Sequence, residues 1–201
     1  AAESAGEGGR LFSTLFEPRP RLFLFGAGDA SLPIAKLASG VGYRVAVGDW
    51  RPSLCHEARF PGAECAAGDA GTIMRTLRLG AADAMLVCSH QLRRDREMLE
   101  LLLAMRPVPA YIGAIGSARR IAALFDGLAG AARVRAPAGL AIGAEGPEEI
   151  AVSVVSELIA ERARMRKSEG GSVLVHRGDL FGGGEELPHG SAQAELGACA
   201  R

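Results

Sequence analysis

The chain has 201 residues with 23 basic and 23 acidic side chains, so its formal net charge is zero; a general binder of nucleic acid or of membrane surfaces would show a basic excess. Hydrophobic residues make up 48% and charged residues 23%, which supplies a core and argues against global disorder. Glycine stands out at 27 residues, about twice its usual share, without the three-residue period of collagen.

The opening stretch, residues 1–10, has neither the basic nor the apolar region of a secretory leader. No apolar run reaches the roughly 20 residues needed to cross a bilayer. A soluble, cytoplasmic protein is expected. Four cysteines, Cys55, Cys65, Cys88 and Cys199, form no C-x-x-C pair, so reduced thiols are expected rather than a zinc site or a disulfide framework. Because the chain opens on Ala1 and the first strand begins near Arg21, residues 1–20 read as a linker or a partly ordered segment, with a further domain expected upstream.

From Arg21 onward, short apolar runs alternate with longer helical stretches, the pattern of a βαβ protein with a parallel sheet. Leu22–Phe25 is apolar at consecutive positions, as a strand covered on both faces must be. A helix is predicted over Leu32–Ser39, a strand over Tyr43–Val47 ending at Asp49, and an edge strand at Ala63–Ala66. Further strands are predicted at Ala84–Cys88 and Ala110–Ile112, with helices at Thr72–Leu79, Asp95–Met105 and Ala118–Leu128. The last helix is predicted to begin at Pro147, a residue suited to the first helical position. Glu148 and Glu149 follow at its positive pole, and Arg162, Arg164, Arg166 and Lys167 lie at its negative one. From Ser168 the composition turns to Gly, Ser and Glu, so 168–201 reads as a disordered acidic tail. The tail has five acidic and two basic residues and the remainder 18 acidic and 21 basic, so neutrality hides a slightly basic domain, 21–167.

The sequence Gly26-Ala27-Gly28-Asp29-Ala30-Ser31 follows the first strand and opens the first helix, matching G-x-G-x-x-(G/A/S). In that place the first glycine permits a tight turn, the second lets a pyrophosphate approach the backbone, and a small third residue lets helix and strand pack closely. Asp49 ends the second strand about twenty residues later, where an acid hydrogen-bonds a ribose hydroxyl; the alternative is a cap on the Arg51-Pro52 turn. Asp29 places a negative charge beside the presumed phosphate. Two more glycine-rich junctions, Gly113 to Ser117 and Ala136 to Gly143, are expected to converge on the same cleft, because ligands in open α/β sheets bind at the carboxyl ends of strands. Ser117 reads either as a ligand contact or as a helix N-cap. Arg119 and Arg120 either reach a phosphate or face solvent. His90, at the end of the Ala84–Cys88 strand, forms with Asp95 either an acid–base pair or a local hydrogen-bonding arrangement. The predicted cofactor-binding set is Gly26, Gly28, Ser31, Asp49, His90, Gly113, Gly116 and Ser117; His90 and Asp95 are the candidates for chemistry, and no metal site is predicted.

Several of these strings together resemble the Rossmann domain of the XdhC/CoxI family. They are Arg21 to Gly28, Asp49-x-Arg51-Pro52, Arg59-Phe60-Pro61, Ser89-His90 with Asp95, Tyr111-Ile-Gly-x-Ile-Gly-Ser117, Pro137-x-Gly-Leu-x-Ile-Gly143, and Pro147-Glu-Glu-Ile-Ala-Val-Ser153. The resemblance implies a doubly wound, mostly parallel sheet with helices on both faces. It also implies an accessory factor for a molybdenum hydroxylase such as xanthine dehydrogenase, which binds the molybdenum cofactor as the pterin or its dinucleotide, protects it during sulfuration and inserts it. The implied partners are the hydroxylase apoenzyme, a cysteine desulfurase and a second copy of the chain. The sequence departs from the family pattern at Asp29, where a histidine is usual, and at Ser89-His90-Gln91-Leu92, where a Thr-His-Asp-His type segment is usual.

Two other function classes stay open on the residues. An NAD(P)-dependent oxidoreductase fits the glycine motif and Asp49, but the two lysines, Lys36 and Lys167, stand four residues after neither tyrosine, which removes a Tyr-x-x-x-Lys proton relay. A non-catalytic docking domain with a degenerate cleft is the other.

Overall fold

The computed structural model describes residues 19–169. The predicted linker therefore lies outside the described residues except for Arg19 and Pro20, and the predicted tail does so beyond Glu169. Five strands, β1 (Arg21–Phe25), β2 (Arg44–Asp49), β3 (Glu64–Ala67), β4 (Ala84–Val87) and β5 (Tyr111–Ala114), alternate with helices α1 (Ser31–Gly40), α2 (Ala70–Thr76), α3 (Leu92–Ala104) and α4 (Ala118–Phe125). A long α5 (Gly146–Glu169) closes the sequence of elements. All strand pairs are parallel, in the order β3-β2-β1-β4-β5. This is the doubly wound Rossmann-like architecture.

Strand periodicity divides the core in two. Phe23 and Phe25 of β1, with Met85, Val87 and Ile112, face Ile73 of α2, Leu99 and Leu102 of α3, and Ile121 and Leu124 of α4. Leu22 and Leu24 point the other way with Val45 and Val47, against Ile34 of α1 and Val154, Val155 and Leu158 of α5. A strand buried on both faces has no polar position to alternate with, which is why β1 reads as an unbroken apolar run. At its start Arg21 holds Asp83 through Nε and Nη2, at 3.0 and 2.6 Å, and donates to the Leu77 carbonyl.

The predicted elements differ from the structure mainly at their ends. The edge strand is β3, one residue later than predicted. Helix α2 begins at Ala70 because the Asp69 carboxylate caps it, accepting from the Thr72 N–H at 2.8 Å. Helix α3 begins at Leu92, so Asp95 lies in its first turn. Tyr43 precedes β2, its hydroxyl donating to the Leu158 carbonyl of α5 at 3.0 Å. Gly146, at φ +75°, is outside helical dihedrals, which leaves Pro147 to open the helical turns as predicted. Glu149 accepts from the Glu145 N–H at 2.8 Å across that start.

The third glycine-rich junction is not a strand-to-helix handover of the kind expected. Arg135 makes a single parallel bridge to Gly113, and residues 137–145 form a loop. Gly139, at φ +110°, lies against α5 so closely that a Cβ there would fall on Ser153 Oγ. Its N–H donates to Glu157 at 3.0 Å. This junction packs the loop onto α5 and offers no free N–H at Gly139 to a cleft.

Candidate functional site

Strand order reverses between β1 and β4, so the loops leaving these two strands diverge at the carboxyl edge of the sheet and open the switch point where ligands bind in such folds. Gly26 makes the first turn at φ +119°. A Cβ on it would lie 2.5 Å from Ser89 Cα and 2.7 Å from Ser89 N, so the β1–α1 and β4–α3 loops touch backbone to backbone at that point. Its own N–H is used within the fold, donating to the Gly48 carbonyl at 2.8 Å.

The rest of the turn is shared between packing and open donors. Ser31 is fully buried; its hydroxyl donates to the Gly26 carbonyl at 2.6 Å and lies 3.4 Å from Cys88 Sγ, while its N–H bonds the Gly28 carbonyl at 3.1 Å. It therefore closes the turn from inside rather than facing a ligand. Burial pushes the Cys88 thiol up to about 12, against the Ser31 hydrogen bond that lowers it, so this thiol is inert near neutral pH. Gly28 has open space where a Cβ would go. The N–H groups of Gly28, Asp29 and Ala30 make no hydrogen bond with any described residue, and Ala30 stands at the start of α1 without a side-chain cap. Uncapped donors at the positive end of a ten-residue helix form a shelf suited to an anion. The charge of Asp29 on that shelf is met by Arg59, whose Nη2 lies 2.5 Å from Asp29 Oδ1 and whose Nε donates to the Ala27 carbonyl at 3.2 Å.

Asp49 is at the predicted strand end but is consumed by the protein. It is fully buried, and its oxygens accept from the Ala27 N–H (2.8 Å), the Arg51 N–H (2.9 Å), Arg51 Nε (2.9 Å) and Arg51 Nη2 (2.8 Å). The carboxylate thus ties the glycine turn to the Asp-x-Arg-Pro segment. Burial pushes its pKa up, but the Arg51 bonds together with the Ala27 and Arg51 N–H groups outweigh that and hold it below its ordinary value. A carboxyl depressed on folding contributes stability that is present above its unfolded pKa of about 4 and is lost as pH falls through the folded value. Asp49→Asn is accordingly expected to lower the urea midpoint near neutral pH and to flatten the loss of stability below pH about 4; an unchanged acid limb would contradict this role.

The expected pairing of His90 with Asp95 does not form. Asp95, 1% exposed, accepts instead from the Ser89 hydroxyl, the Ser89 N–H at 3.2 Å and Arg120 Nη2 at 2.5 Å. Sequence proximity suggests the imidazole as partner, but Arg120 reaches across from the next helix and takes its place. Burial raises the Asp95 pKa, opposed by the bonds from Ser89 and Arg120. Arg120 also donates to the His90 carbonyl at 3.2 Å, which helps hold His90 at φ +64°, a left-handed conformation that costs a non-glycine residue about 1 kcal/mol. His90 itself is exposed on the rim of the switch point.

The remaining predicted residues divide between structure and rim. Gly113 is buried in β5, where a Cβ would meet the Tyr111 hydroxyl at 2.8 Å and Leu86 Cδ1 at 2.9 Å; it is small to make room for Tyr111, whose hydroxyl donates to Glu157 at 2.8 Å. Gly116 lies against the aliphatic part of Arg120. Ser117 is the N-cap of α4, accepting from the Arg120 N–H at 3.3 Å, and Arg119 is exposed. Glu157, which binds Tyr111 and Gly139, is not legible in the sequence as part of this arrangement. Among the described residues no group of three or more His, Cys, Asp or Glu is placed to hold a metal ion, and no helix is long and apolar enough to cross a membrane. The largest groove, about 580 Å³, lies on the flank of α1 against Phe60, Pro61 and Ala63 rather than over the glycine turn; Arg59 borders both.

A parallel sheet with an open N–H shelf at its switch point defines a Rossmann-type ligand-binding domain. The XdhC Rossmann domain pattern matches residues 22–158, and the chain belongs to that family. It is 40% identical over 156 residues, 77% of this chain and 47% of the relative, to a Bacillus subtilis protein named as a probable xanthine dehydrogenase component. Over 158 residues, 74% of this chain and 28% of the relative, it is 33% identical to the uncharacterized protein YqeB of Escherichia coli. A crystal structure described as a xanthine dehydrogenase from Bacillus halodurans superposes with TM-score 0.70 at 34% identity, covering 77% of this chain and 46% of that one. The chain thus spans less than half the length of these relatives.

Proposed function

We propose that this chain is the cofactor-handling domain of an accessory factor for a molybdenum hydroxylase of the xanthine dehydrogenase type, binding the molybdenum cofactor as the pterin or its dinucleotide and aiding its insertion into the apoenzyme. The observation that carries the reading is the shelf of unbonded N–H groups at Gly28, Asp29 and Ala30, at the switch point of a family-matched domain. These residues fit the phosphate end of such a group, because backbone donors recognise a phosphate whatever is attached to it. When bound, the cofactor supplies the redox centre of the client enzyme. The chain's own part is to hold the phosphate end on the shelf and to orient the group, with His90 on the rim.

The reading brings with it the hydroxylase apoenzyme as client, a cysteine desulfurase as second partner, self-association and a cytoplasmic location. Co-expression of an apo-hydroxylase with and without the chain tests it. Higher molybdenum content and activity with the chain are expected; equal values in both would overturn the reading. An NAD(P)-dependent oxidoreductase is the less favoured alternative, because Asp49 is already saturated and His90 has no carboxylate partner.

A further inference from the structure

The acid that would read ribose hydroxyls at the end of β2 has no lone pair left to do so, since Asp49 is fully buried under four N–H donors. The group that the strand end presents outward is the guanidinium of Arg51. Its side chain is 41% exposed, its plane lies 4.4 Å from the Trp50 ring centroid, and Asp49 grips its Nε and Nη2. Of the five N–H bonds of a guanidinium, both on Nη1 and one on Nη2 stay open. The fork is therefore fixed in orientation before any ligand arrives, so little side-chain entropy remains to be lost on binding. A cation with free, oriented donors selects an anion there, and the guanidinium geometry matches phosphate oxygens.

We infer that Arg51 is a specificity-determining residue of the cleft, making its β2 end a reader of a phosphomonoester rather than of ribose hydroxyls. The inference rests on the cleft being a cofactor site and narrows what it takes. Two sources offer that chemistry: the terminal phosphate of a pterin side chain, and a ribose 2′-phosphate.

Calorimetric titration of the full chain with two matched pairs separates them. One pair is 2′,5′-ADP against 5′-AMP; the other is a pterin carrying a side-chain phosphomonoester against the same pterin with a free hydroxyl. In at least one pair the phosphorylated member is expected to bind at least about tenfold more tightly, and Arg51→Ala to reduce that preference to about twofold or less. The pair that responds identifies the source. Because Arg51→Ala strands the buried Asp49, the double variant Arg51→Ala with Asp49→Asn and the charge-keeping Arg51→Lys are titrated beside it; loss of preference in the double variant and a reduced preference in Arg51→Lys are expected. No preference in either pair, no binding of any probe, or a preference that survives loss of Arg51 would overturn the inference. Failure of the molybdenum assay with the preference intact would instead remove the accessory role and leave the phosphate reading standing.

Discussion

Gly26→Ala is expected to lower the melting temperature by about 10 °C, corresponding to roughly 3–4 kcal/mol at this chain length. Two costs add at this position. The φ of +119° is one that a side chain rarely adopts, and the new Cβ meets the Ser89 backbone at 2.5–2.7 Å, where no flexible side chain can give way. The loops from β1 and β4 would be pushed apart at the point where they define the cleft. Gly28→Ala, two residues on, meets open space and should shift the melting temperature by no more than about 2 °C. Thermal denaturation of the two variants side by side checks the contrast; equal effects would mean that the turn is not packed against Ser89 as described.

Arg120→Ala is the second large effect, expected at about 3 kcal/mol near neutral pH, because it leaves the carboxylate of Asp95 buried without its cation. The sign of its pH dependence follows from the raised pKa of Asp95. A group raised on folding contributes its stability below the unfolded pKa and loses it as pH climbs through the folded value. Without Arg120 that folded value rises further, so the deficit of the variant should shrink as pH falls and Asp95 takes up a proton. Asp95→Asn in the same background should recover much of the loss. Urea denaturation at two pH values measures both, and a deficit independent of pH would show that Asp95 is not the stranded group.

Why some of the fold and site is legible in the sequence and some is not follows from the range of each interaction. Strand β1 announces itself because burial on both faces leaves only apolar residues, and the glycine turn because the backbone there admits little else. Both are local constraints written in consecutive residues. Sequence reading places the start of α3 three residues late because Asp95 looks like a helix-opening acid, whereas its carboxylate folds back onto Ser89. The partner of Asp95 lies 25 residues away on α4, and that of Tyr111 lies 46 residues away on α5. No spacing rule connects such pairs. Asp49 is the most instructive case: its position is readable from the strand and the motif, but the occupancy of its lone pairs is not. The Asp-x-Arg-Pro string holds the clue, since an arginine two residues after the acid can turn back upon it.

The central claim, that the open N–H shelf after β1 holds a phosphorylated cofactor, is tested most directly by native mass spectrometry of the chain purified from molybdate-supplied cells, beside Gly28→Phe. A mass increment matching the pterin cofactor or its dinucleotide is expected on the wild-type chain and its loss on the variant, with the circular dichroism of the two alike because the position faces open space. A wild-type chain that carries no such mass, or a Gly28→Phe variant that retains it, would contradict the account.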